Sequence, residues 1–182
     1  MSALEKIAPK CDGARCDVCP LQNAPFVPPE ENPRANVAVV GDFPQEYEVQ
    51  EERPFMGPTG NEFTRYLDGE GLPRGQVHWT MAVLCAPPEG RMDLFLGQVK
   101  KRNKEIVKLN KKRHEEGLAA IPFVPSPFEC CAPRLKLELA PFTKIIACGT
   151  IAAKSVIHKS ATIMALRGAP TEIEKHGRMI KV

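Results

Sequence analysis

No apolar run in this sequence approaches the roughly 20 residues that span a bilayer, which excludes a transmembrane segment and a membrane partner. The opening residues, MSALEKIAPK, lack the apolar stretch of a secretory signal, so the expected location is the cytoplasm. An internal repeat is also absent, which excludes solenoids and arrays. Neither sign of charge dominates: the formal net charge is +3, too little for a globally basic nucleic-acid binder. With 43% apolar and 26% charged residues the composition is ordinary for a globular protein and excludes a disordered or fibrous one. At 182 residues the chain has room for one domain, residues 1–182, with a real core.

What is present is unevenly placed. Seven cysteines stand at 11, 16, 19, 85, 130, 131 and 148. Their number is odd and no secretory signal precedes them, so a disulfide framework gives way to metal ligation. Residues 1–34 form a Cys- and Pro-rich segment without sustained periodicity, which needs something other than a core to hold it. Charge is concentrated too: between Lys100 and Gly117 eight Lys or Arg face three Glu, a local +5 that leaves −2 for the rest. This basic stretch, within an insertion over 92–128, suits contact with a polyanion; a solvated helix face is the plain alternative.

The pattern predicts strands at Ala35–Val40, Val77–Leu84, Lys144–Ala147 and Met179–Val182. Helices are expected at Thr59–Asp68, Gln98–Glu116, Cys130–Leu139 and Thr150–His158, with Thr59 or Asn61 capping the first. Ile121–Phe128 carries three prolines and reads as an extended connector, and the polar stretch from Gly168 to His176 as a loop. Alternating strands and helices predict a three-layer α/β/α fold around a central, mostly parallel sheet.

Cys16-Asp-Val-Cys19 is a CxxC, whose thiolates can reach one metal centre. Two further ligands are needed, and Cys85 and the Cys130–Cys131 pair are the candidates. Cys148, at the end of IIACG, reads as a small apolar core residue.

In chain order the pieces CDVCPL, NVAVVGDFPQEYE, RPFMGPTGNEF, HWTMAVLCAPPEGR, ECCAPRL, PFTKIIACGTIAAK and IMALRG resemble the iron-sulfur branch of the uracil-DNA glycosylase superfamily, the family 4 type, and glycosylase-like regions related to phage DNA polymerases. The resemblance spans about residues 16–168. It implies a 4Fe-4S cluster on Cys16, Cys19, Cys85 and Cys131, structural in role, that ties the N-terminal loop to the fold; CAPRL matches the family's cysteine-Arg-Pro-aromatic-Leu helix start, leaving Cys11 and Cys130 as spares. GDFPQ matches the family's Gly-Glu-small-Pro-Gly, which makes Asp42 the carboxylate that orients water, although a cap after the strand would also account for it. Phe43 and Gln45 replace a small residue and a Gly and narrow the pocket mouth. Phe55 becomes the surface on which a flipped base stacks, with Gly41, Gly57 and Gly60 admitting the ligand.

Three departures stand out. Met81 occupies the place of the family's base-reading Asn, and a thioether cannot form that bidentate pair; Thr80 points to the other strand face. The family's later His-Pro motif is missing, and none of His78, His114, His158 and His176 has that context, so either the chain is part of a longer protein or the site is incomplete. Between Cys85 and Cys131 lie 45 residues, about three times the family's usual gap, and the extra length is the basic helix. Lys104, Lys108 and Lys112 on its stripe, with Arg167 of ALRG, are the expected DNA contacts. The implied function is hydrolysis of the N-glycosidic bond of a flipped base in DNA repair by a monomer acting on uracil-containing or single-stranded DNA. The alternative is a weak or inactive iron-sulfur module that holds DNA, or a polymerase partner, in phage replication in the nucleoid or infected-cell cytoplasm.

Overall fold

The computed structural model describes residues 10–157 and the two strands at 172–175 and 178–181. Five strands form one sheet: β1 (Val37–Gly41), β2 (Val77–Met81), β3 (Lys144–Ala147), β4 (Glu172–Lys175) and β5 (Arg178–Lys181), in the order β2-β1-β3-β5-β4. β1 pairs in parallel with β2 and β3, β5 runs parallel to β3, and only β4 is antiparallel, to β5. The helices are α1 (Glu46–Glu51), α2 (Pro58–Gly69), α3 (Met92–Glu115), α4 (Pro127–Glu138) and α5 (Thr150–Ile157). Among the described residues no helix is long and apolar enough to cross a membrane.

Alternation along β1 builds the layers. Ala38 and Val40 face one side and pack with Leu135 of α4, Leu139 at its C-cap, and Ala152 and Val156 of α5. Val39 faces the other, with Val77 and Trp79, against Phe63 and Leu67 of α2. All five residues of β2 are buried although it ends the sheet, because the N-terminal segment covers its free edge. Glu30 exchanges backbone hydrogen bonds with Trp79, at 2.8 and 3.1 Å, and Val27 donates to Leu84 at 2.8 Å. An unpaired edge is thereby closed, and the Cys-rich segment is laid along β2.

The elements differ from expectation where pairing or packing is non-local. The stretch read as a loop up to His176 contains β4, whose register matches Ile173 with Ile180. α1 was not expected; it is a six-residue helix whose start is held by Glu48, whose carboxylate accepts from the N-cap Gln45 N–H at 3.0 Å. α2 is capped by neither Thr59 nor Asn61: Gly57 is its N-cap and Pro58 its first residue. α3 begins at Met92 rather than Gln98. α4 begins at Pro127, where Ser126 and Glu129 form a capping box.

Candidate functional site

The three parallel strands β2, β1 and β3 end side by side. Gly41 lies opposite Met81 in the register, and Val40 opposite Ala147, so Asp42, Met81 and Cys148 emerge together beyond the carboxyl ends of the strands, the usual place for a ligand in an α/β sheet. A cavity of about 460 Å³ opens there, walled by Asp42, Phe43, Phe55 and Met81 among others.

Phe55 is held with φ +58°, a left-handed conformation uncommon outside glycine and frequent at functional sites. Its ring stands edge-on to Trp79 with centroids 5.2 Å apart. Gly41 makes room for it, since a Cβ there would sit 2.9 Å from Phe55 Cζ. The loop is pinned by Glu48, a buried carboxylate absent from the sequence-based candidates. Glu48 Oε1 accepts from Met56 and Gly57 N–H, both at 3.1 Å, and Oε2 from Gln45 N–H at 3.0 Å. One side chain thus fastens the Phe55 loop to the loop after β1. Gly57 and Gly60 serve this packing: Gly57 lies against Glu48 and does not line the cavity, and a Cβ on Gly60, which does, would lie 2.4 Å from the Phe55 carbonyl oxygen.

Asp42 has two surroundings. It lines the cavity, and its Oδ1 accepts from Ala152 N–H at 2.7 Å in the first turn of α5. The close approach requires Gly149, whose φ is +113° and whose Cβ would fall 2.3 Å from Oδ1. Burial pushes the Asp42 carboxyl above the ordinary aspartate range, against the pull of the Ala152 and Ile151 amides. Cys148 is half-buried on the cavity wall rather than deep in the core, and burial, with the nearby Asp42 charge, pushes its thiol up to about 11.

On the far side of β2, Cys16, Cys19, Cys85 and Cys131 are all buried. Burial pushes Cys85 up to about 11, and Cys131, Cys19 and Cys16 add to it; Cys131 is raised by burial and then by Cys19 and Cys16. Cys130 is pushed up to about 12 by burial and then by Cys19, with Cys131 adding to it. Among the described residues no three His, Cys, Asp or Glu converge as one metal ion requires. A four-iron cluster asks each thiolate to reach a different iron, and the donors it would need are present as four buried thiols that raise one another's pKa.

α4 joins the two sides. Arg134, one turn beyond Cys131, is 3% exposed. Its Nη1 donates to Thr80 Oγ1 at 2.9 Å and to Glu138, and its Nη2 donates to the carbonyl oxygens of Met81 at 2.6 Å and Ala82 at 3.3 Å. Glu138 Oε1 in turn lies 2.7 Å from His78 Nε2. Thr80 therefore faces α4, away from the cavity.

The model of the uracil DNA glycosylase superfamily matches residues 28–180. The chain belongs to this superfamily. It is 32% identical over 146 residues to a type-4 uracil-DNA glycosylase of Pyrobaculum aerophilum, covering 78% of this chain and 59% of that one. With that of Sulfurisphaera tokodaii it shares 41% over 96 residues, 50% of this chain and 42% of the other; with that of Archaeoglobus fulgidus, 25% over 173 residues, 92% and 73%. The chain thus spans about three fifths or less of the length of the first two relatives. Within the superfamily match lie Asp42, Phe55, Met81, Cys85 and Cys131, whereas Cys16 and Cys19 precede it.

Lys104, Lys108 and Lys112 are exposed, one turn apart on α3. α3 is held by its own return segment: Asn103 exchanges hydrogen bonds with the Val124 backbone at 2.9 and 2.8 Å, and Asn110 with Ile121 at 2.9 and 2.7 Å. Arg167, the remaining expected DNA contact, lies outside the described residues, as do His158 and His176.

Proposed function

We propose that this chain hydrolyses the N-glycosidic bond of a base rotated out of DNA, as a uracil-DNA glycosylase-type repair enzyme. The observation that carries the reading is the cavity, because Asp42, Phe55 and Met81 come from three separate stretches of sequence and line one hollow. A flipped base would stack on Phe55, with Phe43 and Met81 as the other apolar walls. As the bond to the base lengthens, the sugar gains oxocarbenium character, which the Asp42 carboxylate stabilises while holding the attacking water. With Oδ1 engaged by Ala152, Oδ2 is the oxygen that faces the water. Since burial raises the Asp42 pKa, activity should fall on acidification at a pH above the ordinary aspartate range, where the carboxylate takes up a proton.

Cys16, Cys19, Cys85 and Cys131 are the ligands we assign to a 4Fe-4S cluster. Bound there, it supplies a cross-link between the N-terminal segment, the end of β2 and α4, and no part of the hydrolysis. Lys104, Lys108, Lys112 and Arg167 are assigned to DNA phosphates. Met81 and the Ala152 bond to Asp42 favour a second reading, a module that holds DNA beside a phage polymerase without cutting it.

Incubation with single- and double-stranded DNA carrying one uracil decides between the two. The first reading expects alkali-labile abasic sites, with the rate falling at least about tenfold in Phe55→Ala. DNA retention without abasic sites supports the second. Iron and sulfide assays with a visible spectrum test the cofactor; stoichiometric zinc in a colourless protein would refute it.

A further inference from the structure

Resting on the reading of Asp42 as the carboxylate beside the bond that breaks, we propose that Arg134 is a positioning residue for that reaction. Its guanidinium fixes the end of β2 and, through it, the backbone that carries Asp42. The β1–β2 register ends at Gly41 and Met81, so the residues that shape the cavity lie where the sheet ceases to align them. One buried side chain takes over there. Its terminal nitrogens reach three successive residues: Thr80 Oγ1 at 2.9 Å and the carbonyl oxygens of Met81 at 2.6 Å and Ala82 at 3.3 Å. The two peptides that begin with those carbonyls end in the N–H groups of Ala82 and Val83. Ala82 N–H donates to the Gly41 carbonyl at 2.8 Å and Val83 N–H to the Asp42 carbonyl at 3.2 Å. Each peptide is therefore held on its oxygen by the guanidinium and passes its N–H to the chain around Asp42, and a hydrogen bond at one end of an amide strengthens the one at the other. Met81 and Asp42, the residues so fixed, are both cavity walls.

Only an arginine can do this. CAPRL places it where the motif it resembles has an aromatic residue, which offers no fork of donors. The charge also needs Glu138, itself 2.7 Å from His78 Nε2, and Arg134 Nε is buried with no hydrogen-bond partner among the described residues. A residue that merely filled the space between α4 and β2 would be at least as stable as an apolar one. The grip on residues 80–82 is what an apolar side chain lacks.

The test compares whole chains carrying Arg134→Met, Arg134→Lys or Ile145→Ala with the native one, at a temperature where all are folded. Ile145 is buried at the start of β3, the end of the sheet away from the cavity, so its truncation lowers stability without touching the grip. The rate of abasic-site formation in uracil-containing DNA at saturating protein should fall about a hundredfold in Arg134→Met, with the half-saturating concentration nearly unchanged. Arg134→Lys supplies a cation for Glu138 and should regain most of the stability. It should stay at least about tenfold slow, because one ammonium cannot span Thr80, Met81 and Ala82. Ile145→Ala should keep the native rate. Amide hydrogen exchange gives a reading independent of cleavage: Ala82 and Val83 should exchange faster in Arg134→Met and not in Ile145→Ala. A native rate in Arg134→Met, equal slowing in Ile145→Ala, or unchanged exchange at Ala82 and Val83 overturns the positioning role. No abasic sites from the native chain, with exchange still faster in Arg134→Met, overturns instead the reading of Asp42 on which the role rests.

Discussion

α3 is twice as long as α4, 24 residues against 12, yet it buries only Met92 and Ile106 where α4 buries Pro127, Cys130, Cys131, Arg134 and Leu135. The two also differ in what they hold. α4 carries a cysteine of the buried set on one turn and, on the next, an arginine bonded to the backbone beside the cavity. Beyond its first turn, where Met92, Phe95 and Leu96 pack on the cysteine cluster, α3 is fastened to its own return segment through Asn103 and Asn110. Burial along a helix therefore separates the frame of the site from an arm free to touch something else. A basic composition alone could not make that separation, because a lysine-rich helix can also brace a fold.

The comparison is sharpest where α4 is cut. Cys85→Ser and Cys131→Ser should each abolish the visible absorbance and lower the melting temperature by many degrees, since the binding energy of a structural metal site is folding energy. Cys130→Ser should leave both in place; the reverse pattern would move the ligand one residue. Arg134→Met is the next largest. It leaves Glu138 buried beside His78 without its cation and should cost about 3 kcal/mol in urea unfolding, followed by the fluorescence of Trp79, the only tryptophan.

Changes in α3 should be smaller and confined to it. Asn103→Ala with Asn110→Ala should cost about 1 kcal/mol per site. Faster hydrogen exchange should appear over α3 and the return segment and not over β1 or β2. Exchange that also rises at the sheet would mean the arm is part of the frame after all. Reversing Lys104, Lys108 and Lys112 to Glu should leave stability within about 0.5 kcal/mol. The salt dependence of single-strand binding should become shallower by about 2 in log–log slope. An unchanged slope would make the helix a solvated face.

Much of this was legible in the chain because it is local. The run ANVAVVGD gives a buried strand ending in a carboxylate, CDVC and ECC mark the thiols, and Lys100 to Lys112 at four-residue spacing marks an exposed stripe. Where the reading fell short, the deciding partner is distant in sequence. Asp42 bonds to Ala152, 110 positions away, so nothing near GDFPQ discloses its second task. Glu48 and Arg134 act through backbone groups that only the folded chain brings to them. β4 is too short and polar to stand out, and is fixed by pairing with β5. Gly57 reads like an opening for ligand but is an opening for Glu48.

The central claim is that the cavity beyond β1 and β2 breaks a glycosidic bond with Asp42 beside it. Single-turnover formation of abasic sites in uracil-containing DNA, compared between the native chain and Asp42→Asn, tests it most directly. The account predicts cleavage by the native chain and a loss of at least about a hundredfold in the variant. Cleavage that Asp42→Asn leaves untouched, or none by the native chain although it binds the same DNA, would contradict it.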